Sequence, residues 1–148
     1  MKTHVRQSQT MITLFEMQER LLSELEEAGQ DNVCALLNTV LHQRDDIGLP
    51  GYLPMLIKSV CGLIRDDFVR VGHAPNGFGR LVDLSAHESI AVMTDVRERL
   101  TFSQSLGRWS TSLHHDRSPE LVLTSHGYIR ARMILSRRGY QWWVPIKR

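Results

Sequence analysis

Arginine is the side chain with the most chemical reach in this sequence. Arg108, Arg117, Arg130, Arg132, Arg137 and Arg138 fall in the last third of the chain, with Lys147 and Arg148 behind them, and Trp109, Tyr140, Trp142 and Trp143 are interleaved. A guanidinium forks onto phosphate or carboxylate, and an aromatic beside it could stack on an exposed base. Trp, Tyr and Arg are equally the residues enriched at protein interfaces. Because Trp usually buries most of its area, a core or interface role is the preferred reading of the tryptophans. A second, sparser set consists of Lys58, Ser59, Arg65, Arg70, His73, Asn76 and Arg80. It mixes side chains that neutralise phosphates with side chains that read base edges. The bland account of both sets is a solvated face, where basic residues sit in any case.

Other chemistries find little support. His114-His115-Asp116 is the tightest cluster of metal-ligand types, but adjacent residues of a strand point to opposite faces, and no HExxH or CxxC spacing accompanies it. No metal and no cofactor is expected. There is no phosphate-binding glycine loop and no GxSxG elbow. Asp45-Asp46 and Asp66-Asp67 are sequence neighbours whose carboxylates diverge, so the chain is read as a non-enzyme. Cys34 and Cys61 both lie in apolar helical patterns and read as small buried hydrophobes of a reducing, cytoplasmic environment. Neither a secretory leader nor a transmembrane stretch is apparent, so no membrane partner is expected.

Charge is unevenly spread. Residues 1–50 hold four basic and eight acidic side chains, residues 51–100 six of each, and residues 101–148 eight basic and two acidic. A basic end facing an acidic beginning has two explanations: attraction to an outside polyanion, or attraction of the two ends for each other, within one chain or across a dimer.

The elements that must carry these residues are mainly helical. A polar arm, residues 1–9, precedes a single domain over residues 10–148. Leu14, Met17, Leu21, Leu25 and Ala28 recur at helical steps, with Glu16, Glu19, Glu24, Glu26 and Glu27 assigned to the polar side and Gly29 as the stop. Met11, Phe15 and Leu22 widen this stripe, which needs a cover, from the domain itself or from a second copy. Asp31 is the expected cap of a second helix on Val33, Leu36, Leu37, Val40 and Leu41, ending near His42. After a loop to Gly51, Pro54 suits the first turn of a third helix bearing Leu56, Ile57, Val60, Leu63 and Ile64. Phe68 to Val71 and Arg80 to Leu84 alternate and read, with Gly72 to Gly79 as turn or loop, as a β-hairpin over residues 68–84, after which Ser85 and Glu88 form a capping box for a fourth helix extending to Leu100. Trp109 to Leu113 and Leu121 to Leu123 read as two strands around a loop, and Thr124 caps a fifth helix that Gly139 ends. The segments 68–100 and 107–140 thus resemble two copies of one ββα unit, a likeness that shared strand-to-helix chemistry also explains.

Helices followed by hairpins and a further helix resemble a winged helix. Leu123-Thr124-Ser125-His126-Gly127 is similar to the Leu-Thr-x-x-Gly junction where the wing's return strand enters the terminal helix of MarR- and PadR-like regulators. The resemblance implies a homodimeric, sequence-specific binder of double-stranded DNA acting in transcriptional regulation. The third helix, with Lys58, Ser59 and Arg65, would enter the major groove, and Arg70, His73, Asn76 and Arg80 would meet adjacent phosphates or the minor groove. Arg108, Arg117, Arg130, Arg137 and Arg138 form a second basic patch. The linker between helices two and three exceeds the three or four residues of a helix-turn-helix. The alternative is a protein–protein adaptor or regulatory inhibitor on the same scaffold. The expected fold is mainly α with β-hairpins, of about five helices and one or two hairpins.

Overall fold

A computed structural model describes residues 11–41, 45–73, 82–112 and 119–145. The proposed arm, the tip of the 68–84 hairpin, His114-His115-Asp116, Lys147 and Arg148 lie outside the described residues. The fold is α+β. Among the described residues the order is α1 (Leu14–Ala28), β1 (Gln30–Asn32), α2 (Val33–Val40), α3 (Tyr52–Arg65), β2 (Val69–His73), β3 (Val82–Asp83), α4 (Ala86–Arg97), β4 (Leu100–Ser103), β5 (Arg108–Thr111), β6 (Glu120–Leu123) and α5 (Ser125–Arg138). No helix among them is long and apolar enough to cross a membrane.

Caps set the helix ends. Thr13 accepts from the Glu16 backbone at the start of α1, and Gly29, at φ 83°, closes it with a hydrogen bond to Leu25. The capping box of Ser85 and Glu88 forms with both of its hydrogen bonds, and Thr124 caps α5 as expected. The cap of α2 is Asn32 and not Asp31. Residues 30–32 form a strand, so α2 starts at Val33, where the apolar pattern begins and one residue later than an Asp31 cap implies, and it ends at Val40.

The core lies between the helices and one face of a four-stranded antiparallel sheet ordered β1-β6-β2-β3. Met17, Leu21 and Leu25 of α1, Leu36 and Leu37 of α2, and Leu56, Val60 and Ile64 of α3 meet Val69, Val71 and Leu121 of the sheet, all buried. Each fully buried aliphatic side chain of this kind contributes about 2 kcal/mol of transfer free energy. Met17, Leu21, Leu22 and Leu25 of the α1 stripe are therefore covered inside one chain, by α2, α3 and α5, while Phe15 and Ala28 stay exposed. Met93 and Val96 fasten α4 to the same core, and Ser89 Oγ accepts the Val71 backbone N–H at 3.0 Å.

The strands near the end pair differently from expectation. Gly72↔Asp83 and His73↔Val82 pair as the first hairpin, with β2 extending two residues into the segment expected to be loop. The second does not form as expected. β5 pairs back onto β4, with Phe102 opposite Trp109, while β6 inserts between β1 and β2. Leu100 is a strand residue and not the end of α4. Leu100-Thr101-Phe102-Ser103 alternates apolar and polar residues, the period of a strand, and the positive φ of Gly107 helps to close the turn. The segments 68–100 and 107–140 consequently share a strand-to-capped-helix junction but not a strand pairing. The β4–β5 hairpin is held to α2 by Asn38, which donates to the Trp109 carbonyl at 2.9 Å and accepts its N–H at 2.8 Å. Trp109 is buried, and its indole N–H donates to Ile47 O at 2.9 Å.

Candidate nucleic-acid interface

The α3–β2 connection positions the first basic set. α3 buries Leu56, Ile57, Val60, Leu63 and Ile64, which leaves Lys58 and Arg65 exposed on the solvent side. They are seven residues apart, two turns along one face, or roughly 10 Å of rise. Ser59 is a correction. It is fully buried and so cannot read a base, and Gln18 of α1 donates to its backbone carbonyl at 3.2 Å. Its hydroxyl is among the buried polar atoms with no hydrogen-bond partner.

Arg70 is also committed. Its Nη1 donates to the carbonyls of Ile64 and Val69, both at 2.9 Å, and its Nη2 to Asp67 at 2.7 Å. The guanidinium fork thus satisfies a carbonyl near the end of α3, a frequent use of a cation at a helix C-terminus. His73 lies in β2 beside Val82 of β3, and Asn76 and Arg80 fall outside the described residues.

The Leu123–Gly127 junction closes on the same place. Thr124 N–H donates to Phe68 O at 3.0 Å, its hydroxyl donates to Asp67 O, and the same oxygen accepts the Gly127 N–H at 3.0 Å. Asp67 adopts a positive φ of 63° and also binds His126 Nδ1 at 2.9 Å. A Cβ on Gly127 would collide with the Phe68 carbonyl oxygen, so glycine here is required by close approach of α5 to the start of β2. The strand that enters this junction, β6, is hydrogen-bonded to β2, the strand that leaves α3.

The second basic set is distributed differently. Arg137 binds Glu19 at 2.6 Å, Arg138 binds Glu19 at 2.8 Å and Glu16 at 3.4 Å, and Arg132 reaches Glu26 at 3.5 Å. Glu19, expected on the polar side of α1, is only 3% exposed, because α5 covers it and supplies both arginines. Arg138 also lies 3.4 Å over the Trp142 ring, whose indole N–H donates to Ser23 at 3.0 Å, and Trp143 is buried with its N–H on Thr39 O at 3.2 Å. The acidic beginning and basic end thus attract each other within one chain. Arg108 is exposed on β5, Arg130 is half-buried on α5, and Arg117 lies outside the described residues.

Several buried groups escape the sequence pattern. Arg20, nearly covered, binds Glu16, Asp45 and the Val40 carbonyl at 3.1, 2.8 and 2.9 Å, tying α1 to the end of α2. Burial raises the Glu24 carboxyl to about 7, with Glu27 and Asp31 adding like charge. Burial also raises Glu27, opposed by the Gln141 N–H, which donates to it at 3.1 Å. Burial raises the thiols of Cys34 and Cys61, disfavouring the reactive thiolate. Among the described residues no three metal-ligating side chains gather. Comparison with protein-family models, with curated proteins and with solved structures gave no match.

Proposed function

We propose that the protein is a DNA-binding regulator of winged-helix type, with α3 as its groove-facing helix. The observation carrying this reading is the placement of Lys58 and Arg65 on the solvent face of the helix that runs directly into β2. In the same reading, β2 and β6 are the outgoing and return strands of the wing, since β6 leads into the Leu123–Gly127 junction. The segment between them, residues 74–119, would be an unusually large wing insertion that includes α4 and the β4–β5 hairpin. Lys58 and Arg65 would neutralise phosphates or reach base edges, whereas Ser59 and Arg70 serve the fold.

Homodimerisation belongs to this reading. Most of the α1 stripe and the terminal tryptophans that motivated it are packed within one chain, so a dimer would use other surfaces. Selection of bound duplexes from a random pool, followed by sedimentation of the complex, tests both parts. Enrichment of a palindromic site bound by two copies supports the reading, and no binding at low salt overturns it.

The adaptor reading is favoured by a separate observation. α5 leaves Tyr128, Ile129 and Met133 exposed in a row, an apolar surface beside cationic side chains.

A further inference from the structure

Among the described residues, the outer face of α5 presents three large apolar side chains to solvent. Tyr128 is 50% exposed, and Ile129 and Met133 are each 58% exposed. Ile129 and Met133 are four residues apart and form a ridge along the helix. A shallow depression lies on each side of that ridge. One, of about 250 Å³, runs between the ridge and Phe68 and has Arg130 on its rim. The other is an open shelf bordered by residues of α5 alone, Tyr128, Arg132 and Arg137 among them. A ridge of i, i+4 side chains between two grooves is the surface into which a second helix packs.

We infer that this face docks an acidic amphipathic helix of another protein. Charge complementarity identifies the occupant. No acidic side chain lines either depression among the described residues, while arginines stand on both rims. Arg132 and Arg137 each give one hydrogen bond to α1, to Glu26 and Glu19, and keep well over half of their side-chain surface exposed. A guanidinium has five N–H donors, so each can accept a further carboxylate. Apolar residues at i and i+4 of the incoming helix would enter the grooves beside Ile129 and Met133, and its flanking Glu or Asp would meet Arg130, Arg132 and Arg137. A second copy docking by the same face would set arginine rims against each other, a like-charge contact that opposes association. This inference is independent of DNA binding.

A displayed library of 18-residue amphipathic helices tests it, with Glu, Gln or Lys allowed at each polar position and the full chain as bait. The expected result is enrichment of Glu over Lys in the bound pool. The best peptide should lose affinity roughly tenfold or more on Ile129→Ser/Met133→Ser and about fivefold on Arg130→Glu. Ile129 and Met133 are exposed and Arg130 is half-buried, and unchanged circular dichroism of each variant confirms that folding is retained. An unenriched or Lys-rich pool overturns the inference. So does binding indifferent to these substitutions, or a dimer of the free chain that Ile129→Ser/Met133→Ser dissolves.

Discussion

The two basic regions of this molecule carry opposite assignments. The arginine-dense end looks like a polyanion surface in the sequence, yet Arg132, Arg137 and Arg138 are turned onto Glu26, Glu19 and Glu16 of α1. The sparser α3 set keeps Lys58 and Arg65 in solvent. The difference teaches that the density of charge along a chain does not measure the charge available to a partner. What matters is how much of each group the fold commits to an opposite charge: the first and last helices are packed neighbours, and Arg132 and Arg137 keep only part of their donors for an acidic partner.

The seam between α1 and α5 offers the largest effect. Glu19→Ala removes the nearly buried carboxylate that two arginines share, but those arginines still reach water, so it should cost about 2 kcal/mol in urea unfolding. Arg138→Ala loses two ion pairs and the Trp142 contact, but its partner Glu19 retains Arg137. A loss of about 1 kcal/mol is expected by the same measurement. A similar effect tests the raised carboxyl of Glu24, on the same helix. Its folded pKa, about 7, exceeds the ordinary value of 4.5. Folding therefore favours its protonated form, a contribution complete below pH 4.5 and lost as pH rises through 7. Glu24→Gln should consequently stabilise the protein by about 1 kcal/mol at pH 8, allowing for the solvent that still reaches the group, and change little at pH 4. Unfolding curves at the two pH values check the sign. Finally, Lys58→Ala/Arg65→Ala should leave stability within about 0.5 kcal/mol, since neither side chain packs in the core. A large loss there would erase the contrast between the regions.

Much of the fold could be read in the residues, and the reasons are local. The 3.6-residue spacing of Leu14 to Ala28, the capping box of Ser85 and Glu88, and Thr124 with Gly139 around α5 each specify an element without distant partners. The pairing of strands is not local. β6 has Val69 and Gln30 as cross-strand neighbourhoods, and nothing in Glu120 to Leu123 distinguishes those from β5. Leu100 fitted both a helical stripe and a strand alternation, and the turn at Gly107 decided for the strand. In the candidate site, Lys58 and Arg65 were legible because α3 has a strong apolar face opposite them. Ser59 was not, because a small hydroxyl suits either side of a helix, and its burial follows from tertiary packing that its residue type does not announce. Glu19 was misassigned for the converse reason: a carboxylate belongs in water unless cations accompany it inside, and its cations lie more than a hundred residues away.

The central claim is that the α3 face, and not the arginine-rich α5 seam, meets DNA. The most direct measurement is the salt dependence of duplex binding for the full chain, Lys58→Ala/Arg65→Ala and Arg137→Ala. The account predicts that the double variant weakens binding and lowers the slope of log affinity against log salt by about 2 per chain, while Arg137→Ala leaves the slope unchanged. A slope reduced by Arg137→Ala and indifferent to Lys58→Ala/Arg65→Ala would contradict it.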